Sequence, residues 1–155
     1  INVRGTFFVT RACVPHLRKS GHAHILTLSP PVNLNPKWLS GYIAYTMTKY
    51  NMSMMAMGWA AEFKKYGIAS NALWPRTTID TAAVRNLLGG EALAKMSRKP
   101  EILADAAHYI FSQPPAECTG NCFIDEDVVK LAGITDLDRY AVVPGGKLYT
   151  DLFMD

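Results

Sequence analysis

The sequence predicts an α/β fold with a parallel sheet, and three observations carry that prediction. Short apolar runs, "HILTLS" (24–29), "IASNALW" (68–74) and "NCFIDEDVV" (121–129), read as strands, the first two stopped by proline. Segments of helical spacing or helix-forming composition cover 3–19, 40–66 and 100–113. The two kinds alternate along the chain, which is the order of βαβ units feeding a parallel sheet.

Taken in order, Val3, Phe7, Phe8, Ala12 and Leu17 recur at helical spacing, with Arg18 and Lys19 at the end and Gly21 beyond. Pro15 marks a position where this helix can kink. "PPVNLNPKW" (30–38) is a loop by its prolines and asparagines. The segment 40–66 lacks proline, is rich in Ala and Met, and closes at Gly67, a residue suited to a helix C-terminus. Pro100 suits the first turn of the helix that follows it. Three strands are too few for a complete doubly wound sheet. The chain also opens at "INVRGTFFVT" without methionine, and the expectation is a fragment whose beginning lies elsewhere.

The chain has 155 residues, 49% hydrophobic and 19% charged, with a net charge of +3, the composition of a globular domain. Its Lys and Arg are scattered, so nucleic acid is not an expected partner. No apolar run approaches the ~20 residues of a membrane-spanning helix. Cys13, Cys118 and Cys122 make an odd count. That argues against a disulfide framework and for a reducing intracellular compartment, whether cytoplasmic, peroxisomal or mitochondrial.

Inside the long helical segment, "AYTMTKY" places Tyr45 and Lys49 four residues apart, on one helix face. An ammonium beside a phenol favours the phenolate, so such a tyrosine can give or take a proton at a carbonyl or carbinol oxygen. On spacing alone this is an ordinary helix pair. Its context is more specific, because the pair lies between two strand ends, at Ser29 and Pro75, and open α/β sheets bind ligands at the carboxyl ends of their strands.

With "NVRGTF", "HILTLS", "YTMTK", "NALWPRTTIDT" and "TGNCFIDE" in this order, the sequence resembles the short-chain dehydrogenase/reductase family over residues 1 to about 126. The resemblance implies a Rossmann-type doubly wound parallel sheet, present here as its C-terminal half. It implies that residues 1–130 are the C-terminal portion of the catalytic domain, with 131–155 an extension or the start of a linker. Tyr45 is then the acid/base, Lys49 its cation and a contact to the nicotinamide ribose, and Asn2 the holder of a water behind Lys49. Pro75 and Thr78 would meet the nicotinamide, and Ser29 the substrate oxygen. The implied cofactor is NADP or NAD, with NADP slightly preferred. The implied reaction is hydride transfer at a carbonyl or hydroxyl of a lipid-like small molecule, in a homo-oligomer.

Two departures bear on this. The family's substrate-binding serine position is held by Pro30, and Ser29 falls one residue early, which on a strand turns a side chain to the opposite face; Ser40 and Asn33 are weaker alternatives. The usual Pro-Gly is Pro75-Arg76, and Arg76 is expected to be solvated rather than to read an anion. A glycine-rich dinucleotide turn is nowhere in these residues. They are therefore expected to be inactive alone. The second reading is a truncated or catalytically degenerate member that serves as a binding or oligomerisation module.

Other residues call for simpler accounts. Cys118 and Cys122 are too widely spaced for a zinc or redox pair and are expected to flank a strand. His16, His22 and His24 have no carboxylate cluster beside them, so no metal site is expected. Met47, Met52, Met54, Met55 and Met57 are expected to pack on or beside the tyrosine helix. Asp125, Glu126 and Asp127 are expected to form a solvated edge.

Overall fold

A run with no alternation of polar and apolar residues can be a strand only if both of its faces are covered. "IASNALW" meets that condition. In the computed structural model, which describes residues 1–154, strand β2 (Ile68–Trp74) is buried along its whole length. Strand β1 (Ala23–Leu28) pairs with it in parallel, from Ala23 opposite Ile68 to Leu28 opposite Leu73. Strand β3 (Cys122–Ile124) lies on the other side, giving the order β1-β2-β3 in a partial Rossmann-type sheet.

Helix α1 (Asn2–Leu17) precedes β1, and helix α3 (Ile43–Phe63) connects β1 to β2. A 3₁₀ turn over Lys64–Tyr66 ends α3, and Gly67 completes it in the left-handed region at φ 69°. Glycine takes that conformation without steric cost. Pro15 lies inside the last turn of α1, which continues to Leu17. The core beneath the two helices holds Ala23, Trp59, Phe63 and Ile68, with Val14, Leu17, Ile25, Met55 and Tyr66 packed against it. The Trp59 and Phe63 rings stack at 6.4 Å.

Polar groups in so enclosed a strand need internal partners. Asn71, fully buried in mid-strand, donates from Nδ2 to the Cys118 carbonyl at 2.8 Å. Its Oδ1 accepts from the backbone N–H and the side chain of Asn121, both at 3.0 Å. One side chain thus fixes the turn that delivers β3 to its place. Gly120, at φ 77°, donates its N–H to Ser70 O at 2.9 Å in the same turn.

The chain forms two compact units, residues 1–74 with 111–123, and residues 75–110 with those from 124 onward. The second holds helices α4 (Gly90–Lys95), α5 (Glu101–Ser112, entering at its C-terminal end the first unit) and α6 (Asp125–Leu131). Residues 131–154 are knitted into it. Thr78 N–H donates to Tyr149 O at 2.9 Å, Val142 N–H to Ser97 O at 3.0 Å, and the Tyr140 hydroxyl to Asp105 Oδ2 at 2.5 Å. Backbone pairing of this kind leaves no periodic trace in a sequence.

Two expectations about elements are corrected. The strand expected over 121–129 stops at Ile124, because Asp125, Glu126 and Asp127 form the acidic first turn of α6, where the helix dipole favours them. The loop 30–38 contains a short helix, α2 (Pro36–Leu39). Asn35 caps it, accepting from Lys37 N–H at 3.1 Å, and Pro36 opens it.

Replacing Asn71 with alanine leaves the buried Cys118 carbonyl and the part-buried Asn121 N–H without their partner. It should cost about 2–4 kcal/mol, read as a lower urea midpoint with unchanged slope.

Candidate active site

The site is built on the first two turns of α3. Thr46, fully buried, donates from Oγ1 to Trp38 O at 2.7 Å and so ties the helix start to α2. That sets the azimuth of its neighbour Tyr45, which is 41% exposed. One turn on, Lys49 Nζ lies 6.0 Å from the Tyr45 ring centroid. The ammonium donates to Leu28 O at 2.9 Å, at the carboxyl end of β1. It also lies 5.1 Å from the ring centroid of Trp74, the last residue of β2.

Asn2 reaches the same turn from α1. Its Nδ2 donates to Thr48 Oγ1 at 3.2 Å, and Thr48 Oγ1 donates to Tyr45 O at 2.7 Å. Asn2, Tyr45 and Lys49, far apart in the chain for the first, are therefore brought together. Ser29 is adjacent in sequence to Leu28, and its N–H bonds Leu73 O at 3.1 Å. Its side chain is fully buried and Oγ has no hydrogen-bond partner, so the structure does not present that hydroxyl at the surface where Tyr45 stands.

Residues that sequence reasoning missed hold the loop after β1 against α3. Ser53 Oγ donates to Pro30 O at 2.5 Å, and the Tyr50 hydroxyl donates to Asn33 O at 2.6 Å. Their spacing of three residues puts them on one face. The signal was available, since the proline-rich loop supplies carbonyls and lacks N–H groups of its own. Trp74 was also missed, because an aromatic residue at a strand end reads as packing.

In the second unit, Pro75 is buried, and Thr78 is buried with each of its polar groups engaged. Its hydroxyl pairs with Ser97 Oγ at 2.8 Å, its N–H with Tyr149 O, and its carbonyl with the Arg98 N–H. Arg76 is not the solvated cation expected. Its guanidinium bonds Asp127 Oδ2 at 2.8 Å and lies 3.5 Å from Glu126 Oε2, while its N–H donates to Asp125 Oδ1 at 2.9 Å. The expected solvated acidic edge holds only for Asp127. Asp125 and Glu126 are buried, because Arg98 Nη2 pairs with Glu126 Oε1 at 2.8 Å and backbone N–H groups reach Asp125.

Burial pushes the Asp125 carboxyl up to about 6, against the backbone N–H groups of Arg76 and Glu126 that pull it down; the Glu126 charge adds to the rise and Arg98 opposes it. Among the described residues no group of three potential metal ligands occurs. His22 and His24 are instead bonded through Nε2 to Phe111 O and Gln113 O. All three cysteines are free, and burial raises the thiols of Cys118 and Cys122.

Residues 1–123 match the family described as enoyl-(acyl carrier protein) reductase. The chain belongs to the short-chain dehydrogenase/reductase family. Among its short-chain dehydrogenase/reductase relatives is hydroxysteroid dehydrogenase-like protein 2 of Danio rerio, 54% identical over all of this chain. The Homo sapiens protein of the same name is 51% identical over the same span. The chain spans 37% and 36% of the length of these two relatives. A crystal structure of a short-chain dehydrogenase from Mycobacterium thermoresistibile superposes with a TM-score of 0.91 at 51% identity, covering all of this chain and 55% of that one.

Asp125 also yields a pH prediction. Its raised value means the folded state holds the proton, so its contribution is complete below about 4 and is lost as pH rises through about 6. Asp125→Asn cannot ionise. Relative to the parent, its unfolding free energy should climb between pH 4 and pH 8 by roughly 1–3 kcal/mol. A difference that stays flat across that range in urea titrations refutes it.

Proposed function

We propose that the chain carries the proton-transfer machinery of a nicotinamide-dependent oxidoreductase acting on a carbonyl or hydroxyl, with Tyr45 as acid/base. The observation that carries this reading is the exposed Tyr45 phenol one helical turn from the Lys49 ammonium, itself anchored on Leu28 O at a strand's carboxyl end. The residues fit a nicotinamide ribose, since an ammonium and a phenol at the end of a parallel strand can both bond its hydroxyls. When bound, NADP or NAD supplies or accepts the hydride.

In the reducing direction Tyr45 donates its hydroxyl proton to the substrate oxygen. The Lys49 ammonium stabilises the phenolate left behind, and Asn2, through Thr48, holds the turn that carries both groups. In the oxidising direction the phenolate takes the proton from the carbinol. Exposed Val32, Leu34, Tyr42 and Ile43 lie on the segments either side of α2 and support a lipid-like substrate. The relatives' name, hydroxysteroid dehydrogenase-like, points to the same chemical class. Exposed Phe7, Phe8 and Val9 of α1 with Met54 of α3 support a homo-oligomer. The three free cysteines suit a reducing compartment.

The competing reading, a binding or oligomerisation module without turnover, is favoured by the buried hydroxyl of Ser29 beside Pro30. One experiment separates them. The intact protein carrying this chain is assayed with NADH and NADPH against ketosteroids, fatty acyl-CoA derivatives and simple ketones. Turnover is expected, and Tyr45→Phe should lower it about 10²–10⁴-fold with unchanged circular dichroism. Tyr45→Phe turning over at the parent rate removes the tyrosine from the mechanism.

A further inference from the structure

We infer that Trp74 is a positioning residue for the proton transfer at Tyr45, holding the Lys49 ammonium against its ring. The inference rests on the function proposed above for Tyr45, and it concerns a residue that this function does not itself require.

A lysine on a helix surface has four rotatable side-chain bonds and no reason to keep its ammonium in one place. Two contacts hold Lys49 at the strand ends. Leu28 O accepts one N–H at 2.9 Å, and the face of the Trp74 indole lies 5.1 Å from Nζ, nearer than the Tyr45 ring at 6.0 Å. Both anchors come from the carboxyl end of one strand pair, because Leu28 is in register with Leu73 and Trp74 is the next residue. Indole offers the strongest of the aromatic faces to a cation, and the attraction grows as water is excluded. Trp74 is 6% exposed, so its ring is fixed by packing and is not itself free to follow the ammonium.

The consequence is directional. Without the indole the ammonium is held less closely at the strand ends, and the phenolate of Tyr45 loses part of the charge that stabilises it. Removing the indole should therefore make Tyr45 harder to ionise, without any change at Tyr45 or Lys49. A tryptophan that served packing alone would change stability and leave that ionisation where it was.

The test reads Tyr45 directly and needs neither cofactor nor turnover. Phenolate absorbance near 295 nm is titrated in the intact protein, and the curve of the Tyr45→Phe variant is subtracted to isolate Tyr45. In Trp74→Leu the midpoint should rise by roughly 0.5 of a pH unit or more, and Trp74→Phe should recover part of the shift. Because Trp74 is buried and the leucine variant can fail to fold, a second series keeps the shape constant. Tryptophan is replaced biosynthetically by its mono-, di- and trifluorinated forms, which weaken the ring's attraction for a cation stepwise. The midpoint should climb with each fluorine, and the climb should vanish in a Trp74→Phe background, where Trp38 and Trp59 still carry fluorine.

A midpoint that ignores fluorination in folded protein overturns the inference. Where the parent shows no turnover with any substrate yet fluorination moves the midpoint, the enzymatic reading fails and the positioning of Lys49 by Trp74 stands. Where turnover depends on Tyr45 but fluorination moves nothing, the reverse holds.

Discussion

The parallel pairing of β1 with β2 is the constraint on which the site depends. It brings two strand ends side by side, so that the Leu28 carbonyl and the Trp74 ring converge on one ammonium. Neither partner is close to Lys49 in sequence. A slip of one residue in that register would turn every side chain of the strand to the other face. The buried length of β2 opposes such a slip, since it would force Asn71 away from Cys118 and Asn121. The polar residue in the core is thus what keeps an apolar strand in one register.

Helix α3 carries that register to the candidate site. Its first turn is tied to α2 by Thr46, its second carries Lys49 to the strand end, and its later turns bury Trp59 and Phe63 in the core. Rigid packing at one end leaves the other end able to expose a phenol without loss of position. The loop after β1 is drawn onto the same helix by Tyr50 and Ser53. Its two prolines remove N–H groups, and the helix supplies the donors its carbonyls need.

The second unit is organised by charge. Arg98 and Arg76 are both bonded to acidic side chains of α6, and Arg98 also donates from Nη1 to Leu137 O at 2.6 Å. Asp125 is the uncomfortable member, with Oδ2 buried and unbonded. The segment leaving β2 is held to α6 by its own backbone, and the cation there is committed to that task.

Periodicity and proline placement were enough to read the α/β class, the bounds of β2, and the helix that carries Tyr45 and Lys49. These are local properties, set by which residues recur on one face and where the backbone lacks a donor. The sequence also placed Asn2, Tyr45 and Lys49 as a set, through their match to a family pattern. It did not reveal that α6 begins at Asp125, because a run of acids reads alike at a strand edge and at a helix start until the cations that face it are known. It could not show that Ser29 is buried or that Arg76 is paired, since both depend on neighbours dozens of residues away. Only the folded chain decided that Trp74 faces Lys49, because strand register, not sequence distance, determines which side chains meet.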